Sequence, residues 1–329
     1  MLALSRRDVF QLVPMPNAIE LMKQVFRDLS AGRTVSPLRT PIEVGGTTGV
    51  SLFMPAFVPS APGLGIKVVS VFPGNRAVGK PTIHAIVVLV DPASGEPLAL
   101  LDGTYLTALR TGAASGAATD LLARHDARVL TCIGAGAQGP TQAWAVTCVR
   151  PIETIYVYDL DPGAAGSFEH RLRNLAPSLS ARVIPITDLA AAVRQSDVIC
   201  TATTAREPVF SDSDLKPGVH INAIGSFTPE MQEIPAQTVA RAYVVVDSVQ
   251  AALAEAGDLI KPLRDGLISR DQIGVELGQI VAGQALGRLS PEQVTLFKSV
   301  GNAVQDVIVA AQAVAEARSR GIGQVIDLG

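Results

Sequence analysis

Several specialised chemistries are missing from this chain of 329 residues. Its three cysteines, Cys132, Cys148 and Cys200, lie in or beside apolar segments without metal-ligand spacing or pairing, so buried free thiols are expected and a disulfide framework is excluded. The histidines His84, His125, His170 and His220 form no HxxxH or similar ligand pair, which leaves no protein-held metal. Aromatic residues make up 4% of the chain and the basic residues are scattered, which argues against a nucleic-acid groove. A net charge of −3 implies no polyanionic partner. No apolar run reaches membrane-spanning length, and no signal precedes the polar stretch Ser5-Arg6-Arg7-Asp8. A cytoplasmic, reducing setting and a small-metabolite ligand are therefore expected.

What is present begins at Arg128. An apolar strand, Arg128 to Ile133, runs into Gly134-Ala135-Gly136-Ala137-Gln138-Gly139, a helix can follow over Thr141 to Cys148, and a second strand, Thr154 to Tyr158, ends at Asp159. This order is a dinucleotide-binding fingerprint. Gly134 permits the tight turn, Gly136 lets the backbone approach a pyrophosphate, and Gly139 allows close helix packing, while the helix N-terminus offers N–H groups to the anion. Pro140 sits near the first turn, where its missing N–H is tolerated. Asp159 follows Gly139 by 20 residues, where an acid can accept hydrogen bonds from ribose hydroxyls. The following Leu160-Asp161-Pro162 adds a carboxylate and no cation for a 2′-phosphate, so NAD(H) is favoured over NADP(H).

From Arg128 to about Asp247 strands and helices alternate, and six parallel strands are the simplest arrangement: a Rossmann-type doubly wound α/β domain. The N-terminal third differs. Ile19, Met22, Val25, Phe26 and Leu29 share one face of a helix that stops at Gly32. Then follow β-branched segments punctuated by Pro and Gly, with Asp91-Pro92-Ala93-Ser94-Gly95 as a hairpin turn, giving a β-rich α+β platform. Thr107 to Leu122 reads as an Ala-rich helix. The last helix, roughly Gly301 to Arg320, has an apolar face (Val304, Val307, Ile308, Ala311) that needs a partner, and the platform would supply one. Expected is a discontinuous substrate-binding and dimerisation domain, 1–115 with 300–329, and an NAD-binding domain, 116–299. The active site is expected in the crevice between them, at the carboxyl ends of the parallel strands.

A carboxylate-bearing substrate needs convergent cations. Arg39, Lys67 and Arg110 stand before a strand, inside an apolar strand and inside an Ala-rich helix; such charges are costly unless paired or exposed. Each alone also reads as a solvated or salt-bridged surface cation. Lys67, between Ile66 and Val68, is the most unusual.

The residues so far resemble the ornithine cyclodeaminase and mu-crystallin family over nearly the whole chain. The likeness rests on Gly65-Ile66-Lys67 with Phe72-Pro73-Gly74-Asn75, on Lys80-Pro81-Thr82, on Leu106 to Thr111, on the Gly134 to Gln138 turn, and on Glu276-Leu277-Gly278 with Phe297 to Asp306. The resemblance implies that Arg39, Lys67 and Arg110 grip a substrate carboxylate, Lys67 and Arg110 serving catalysis. It implies that Thr82, Arg110, Thr111, Gly134, Gly136, Ala137, Gln138, Asp159, Thr201, Ala223, Ile224 and Ser299 line the nicotinamide cofactor. It also implies a homodimer joined through the N-terminal sheets.

Two departures decide the chemistry. Members that cyclise ornithine use two carboxylates, one in a Gly-x-Asp-x-Pro-Gly-Lys-x-Glu motif and one before a Met-Pro pair. Here Phe227, in Gly225 to Glu233, and Leu52, before Met54-Pro55, stand at those positions. Neither can shuttle a proton. Glu230 is a nearby acid that could substitute. The family's ketimine reductase members also lack the motif acid, so the expected reaction is NADH-dependent reduction of a small cyclic 2-imino acid, pyrroline-2-carboxylate or piperideine-2-carboxylate, to proline or pipecolate. Phe227 and Leu52 would wall the ring, and Lys67 would donate a proton or complete the carboxylate clamp. The alternatives are a cyclodeaminase using other acids, an alanine dehydrogenase-like reductase of open-chain imino acids, and a crystallin-like binding protein. His84 reads as a structural histidine or as a further acid, and Glu276 and Asp306 read as caps or interdomain hydrogen-bond partners.

Overall fold

The computed structural model describes residues 1–61 and 63–327, and the chain divides into two compact units, Met1–Arg110 with Asn302–Gly329 and Thr111–Gly301.

The first unit opens with β1 (Leu2–Leu4), α1 (Arg6–Leu12) and α2 (Met15–Ser30). Ser5 and Asp8 cap α1 reciprocally, and α2 buries Ile19, Met22, Val25 and Phe26. Then come β2 (Thr40–Glu43), β3 (Val50–Val58), β4 (Gly63–Val71), β5 (Ile83–Val90) and β6 (Pro97–Asp102), an antiparallel run bounded by turns. With β1 and a C-terminal strand, Gln324–Val325, they make a seven-stranded sheet. Alternation along β3 to β5 sends Leu52, Met54, Ala56, Val69, Val87 and Leu89 to one buried face. The C-terminal helix (Ala303–Arg320) packs there through Val307: a Cβ added to Gly63 would lie 2.6 Å from Val307 Cγ1, so glycine admits the close approach. α3 (Gly103–Leu122) begins in this unit and continues into the next.

The second unit carries β7 (Val129–Ile133), α4 (Gly139–Val149), β8 (Thr154–Tyr158), α5 (Pro162–Gly166), α6 (Phe168–Leu175), β9 (Arg182–Pro185), α7 (Leu189–Gln195) and β10 (Val198–Thr201). After β11 (His220–Ala223) follow α8 (Ala236–Arg241), β12 (Tyr243–Val246), α9 (Val249–Glu255), α10 (Gly257–Arg264), β13 (Val275–Glu276), α11 (Leu277–Val281) and β14 (Thr295–Lys298). The sheet is wholly parallel, in the order β13-β12-β14-β11-β10-β7-β8-β9, so it winds both ways from the junction of β7 and β10. This is the Rossmann-type arrangement, with eight strands where the alternation of sequence patterns gave six. The two extra strands are β13 and β14, and β14 lies between β11 and β12. β14 is short, wholly buried and contains Thr295 and Lys298, so neither length nor alternation marks it; pairing with its neighbours makes it a strand.

Cys132 and Cys200 face each other across β7 and β10 as buried free thiols. Cys148 is free as well but exposed, against the expectation, because it falls on the outward side of the last turn of α4. Among the described residues no helix is long and apolar enough to cross a membrane.

Candidate active site

In the first unit the sheet's buried face carries one cation among apolar neighbours. Lys67 lies directly opposite Met54 of β3 and Val87 of β5 and is 1% exposed. Its Nζ stands 2.7 Å from Oδ2 of Asp306. Arg110, buried on α3, donates through Nε to Oδ1 of the same carboxylate at 3.0 Å and through a terminal nitrogen to Gln305 Oε1. Gln305 and Asp306 belong to the first turn of the C-terminal helix, whose N-cap Asn302 accepts from Val304 N–H at 3.1 Å and from the Ser36 hydroxyl. Asp306 is therefore neither a cap nor an interdomain partner; it bridges the two buried cations, because the helix brings it onto the sheet face that holds Lys67. Arg39 lies half-buried just before β2. Burial lowers the Lys67 pKa from 10.5 to about 7, with the positive charges of Arg110 and Arg39 acting in the same direction and Asp306 opposing them. Two buried cations, Lys67 and Arg110, share the single buried carboxylate of Asp306, an excess of positive charge that another anion would balance.

Leu52 shares the buried face with Lys67, and Thr82, half-buried ahead of β5, accepts from Phe72 N–H at 2.8 Å through its carbonyl. His84 is exposed and pairs with Ser70, three places from the Lys67–Val87 pair and so in opposite parity, and it points away from Lys67. It is not an acid for that cluster.

In the second unit the three fingerprint glycines have separate steric reasons. Gly134 takes φ +100°, and a Cβ there would lie 2.5 Å from the Ala202 carbonyl oxygen. A Cβ on Gly139 would lie 2.6 Å from the Gly134 carbonyl oxygen and 2.8 Å from Phe168 Cε2, so glycine lets α4 start hard against the turn. At Gly136 a Cβ would meet nothing within 4 Å: the backbone faces open space, a cradle that a pyrophosphate fits. No side chain caps α4, whose N-cap Gln138 keeps Oε1 buried without a hydrogen bond, and Ala137 is exposed beside it.

Asp159, at the end of β8, accepts from Ala135 N–H at 2.7 Å and Asp161 N–H at 2.9 Å. Asp161 turns its carboxylate to α5, accepting from Gly163 N–H at 2.9 Å. A cation does stand near Asp159, contrary to the local sequence. Arg171 of α6 donates to the carbonyls of Ala135 (2.5 Å), Gly136 (3.0 Å) and Ala164 (3.1 Å), so its guanidinium braces the back of the turn. Only the packing of α6 against α4 brings it there.

Thr201, Ala223, Ile224 and Ser299 lie at or just beyond the carboxyl ends of β10, β11 and β14, and Thr111 is buried on α3. Two buried acids that sequence reasoning did not single out hold these strand ends. Glu233 accepts from Thr201 Oγ1 (2.9 Å), Thr203 N–H (2.6 Å), Gly225 N–H (2.7 Å) and Ser226 N–H (3.2 Å). Asp247 accepts from Ser299 Oγ (2.7 Å), Gly301 N–H (2.8 Å) and Val300 N–H (3.1 Å). Asp258 accepts from Glu233 N–H and Ile234 N–H and pairs with buried Lys298 at 3.0 Å. Burial and the neighbouring Asp258 push the Glu233 carboxyl up. The signal for Glu233 was its place at the end of the Gly225 stretch.

Phe227 is half-buried against the apolar cluster of Ile199, Ile221 and Val246. Glu230 is exposed, and a hydrogen bond with the Thr228 side chain holds its carboxyl low, the opposite of an acid held protonated in a buried site. Glu276 caps α11 and accepts from Val249 N–H at 2.8 Å. Among the described residues no cluster of His, Cys, Asp or Glu could hold a metal ion.

Comparison with known proteins agrees with this geometry. The model of the ornithine cyclodeaminase/mu-crystallin family matches residues 1–321. The chain is 43% identical over 328 residues to a delta(1)-pyrroline-2-carboxylate reductase of Bacillus cereus, covering 99% of this chain and 100% of that one. Among solved structures, the Thermococcus litoralis delta(1)-pyrroline-2-carboxylate reductase in complex with NADH and L-proline superposes with a TM-score of 0.94 at 41% identity, covering 99% of this chain and 100% of that one. An archaeal alanine dehydrogenase dimer with bound NAD gives 0.90 at 34% identity, covering 100% and 99%.

Proposed function

Since the chain belongs to the ornithine cyclodeaminase/mu-crystallin family, we propose that it is an NADH-dependent reductase of a small cyclic 2-imino acid, forming L-proline from pyrroline-2-carboxylate or L-pipecolate from piperideine-2-carboxylate. One observation carries the choice within the family: the cations are kept, Lys67 and Arg110 buried and Arg39 half-buried, while Phe227 and Leu52 stand packed among apolar residues where a cyclodeaminase needs acids. Bound NADH supplies a hydride to the ring carbon beside the carboxylate. Arg39 and Arg110 fix that carboxylate, and Lys67 gives its proton to the ring nitrogen, so that the C=N bond becomes a CH–NH bond. Apolar side chains at Phe227 and at Leu52 offer nothing to the free ammonium of an open-chain product.

Gly134, Gly136, Ala137 and Gln138 would hold the pyrophosphate and Asp159 the ribose, with Thr82, Thr111, Thr201, Ala223, Ile224 and Ser299 lining the nicotinamide. NADH is preferred to NADPH: a carboxylate at Asp159 repels a 2′-phosphate, and the nearby Arg171 is committed to three carbonyls. The first unit is the substrate-binding and dimerisation domain and the second the NAD-binding domain. The homodimer rests on Ile42, Leu64 and Ile86, which are 51%, 37% and 46% exposed on the sheet face away from Lys67. Cys132 and Cys200, facing each other as free thiols, suit the reducing cytoplasm.

The test is NADH and NADPH oxidation by purified protein supplied with pyrroline-2-carboxylate, piperideine-2-carboxylate or pyruvate plus ammonia, and with ornithine plus NAD in reverse. Rapid NADH loss with a cyclic imine and no proline from ornithine is expected. Proline and ammonia from ornithine would overturn the argument from Phe227 and Leu52.

A further inference from the structure

The Lys67–Asp306–Arg110 cluster holds one group with no role in the reaction as described. Asp306 is fully buried, and its two oxygens face different cations: Oδ2 meets Lys67 Nζ at 2.7 Å and Oδ1 meets Arg110 Nε at 3.0 Å. Its place in the first turn of the C-terminal helix is one where the helix macrodipole favours a negative charge. The neighbouring Gln305 holds a terminal nitrogen of Arg110, so consecutive residues of one helical turn fix two edges of the guanidinium.

Resting on the reading of the protein as a cyclic-imine reductase, we propose that Asp306 is a positioning residue. It keeps Lys67 charged, as the proton donor, and aims Arg110 at the substrate carboxylate. The charged groups acting on Lys67 are Arg110 from α3, Arg39 from the segment before β2 and Asp306 from the C-terminal helix; its partners on β3 and β5, Met54 and Val87, are uncharged. Asp306 is the one of the three that favours the ammonium. Without it, burial and two guanidinium groups all drive Lys67 towards the neutral amine. The Lys67 pKa of about 7 is the balance of these effects, so the donor form is available at neutral pH and disappears above it. A substrate carboxylate would add a second anion and raise the value, loading the proton as substrate enters.

The test compares wild type with Asp306→Asn and Asp306→Glu in the pH dependence of kcat/KM for cyclic-imine reduction. In Asp306→Asn the alkaline limb is expected to move down by about one pH unit or more, and KM to rise about tenfold as Arg110 loses its anchor. Asp306→Glu, which keeps the charge, should return the limb towards that of wild type. An Asp306→Asn enzyme whose limb stays in place would overturn the proposal. A second readout needs no turnover: the 13Cε resonance of Lys67, assigned by its loss in Lys67→Met, is titrated in wild type and Asp306→Asn with and without pyrrole-2-carboxylate, a planar carboxylate lacking a reducible imine. A midpoint near neutrality that rises with the carboxylate is expected, whereas a Lys67 already neutral at about pH 5.5 would overturn the proposal. If wild type reduces no cyclic imine, yet its Lys67 titrates near neutrality and Asp306→Asn lowers that midpoint, the functional reading fails and the Asp306 assignment stands.

Discussion

The two units treat buried charge in opposite ways. In the second, Glu233 and Asp247 are surrounded by backbone N–H and hydroxyl donors, and Asp258 adds the ammonium of Lys298; these acids tie the ends of β10, β11 and β14 together. In the first, Lys67 and Arg110 share one carboxylate with Arg39 nearby. Desolvation penalises both arrangements, but Glu233 and Asp247 each collect several donors, whereas two buried cations share the one carboxylate of Asp306. A buried charge with its full set of partners is scaffold, and an excess of one sign marks where a ligand's charge belongs.

The contrast predicts that substitutions in the first unit cost rate and those in the second cost stability. The largest effect is expected from Lys67→Met: loss of the proton donor should lower kcat roughly 10²- to 10⁴-fold, measured by initial rates of NADH oxidation. Comparable activity in the variant would sink the donor role. Glu233→Leu should leave several buried donors unpartnered and destabilise the protein by about 3 kcal/mol or more, read by denaturant unfolding. If it melts like wild type while losing activity, the scaffold interpretation of that acid is wrong.

A third measurement sharpens the comparison through pH. The Lys67 pKa is about 7 in the folded chain against an ordinary 10.5, so between these values the unfolded chain binds more protons. Stability attributable to Lys67 therefore rises with pH from about 7 to 10.5, by a few kcal/mol in all, and the rise should vanish in Lys67→Met. A wild-type curve that falls relative to the variant across that window would contradict the burial argument. The smallest effect concerns coenzyme choice: Asp159→Ser should lower kcat/KM for NADH about tenfold and raise the NADPH to NADH ratio. An unchanged ratio would remove Asp159 from that role.

Much of this was legible in the sequence, for reasons that differ by element. The glycine turn is encoded locally, in steric needs that only glycine meets, and so are the long helices and the alternating strands of the first sheet. Lys67 stood out because a lysine occupies an inward position of an apolar strand. Asp306 read only as a cap or an interdomain partner, because its meaning depends on a helix packing against a sheet from the far end of the chain. The same holds for β14, which acquires its identity from β11 and β12, and for Arg171, which α6 brings to the turn. Local chemistry was readable and tertiary juxtaposition was not.

Asp306 comes from a helix that follows the whole second unit in the chain, while Lys67 and Arg110 precede that unit. During synthesis the two cations therefore emerge long before the carboxylate that accompanies them, and the sheet face that buries Lys67 waits uncovered until the last helix leaves the ribosome. The second unit, continuous in sequence, has no such delay. The nascent chain thus holds a complete nucleotide fold before it holds a competent cation cluster, and loss of the C-terminal segment would leave a protein with its nucleotide turn intact and Lys67 without the carboxylate that accompanies it.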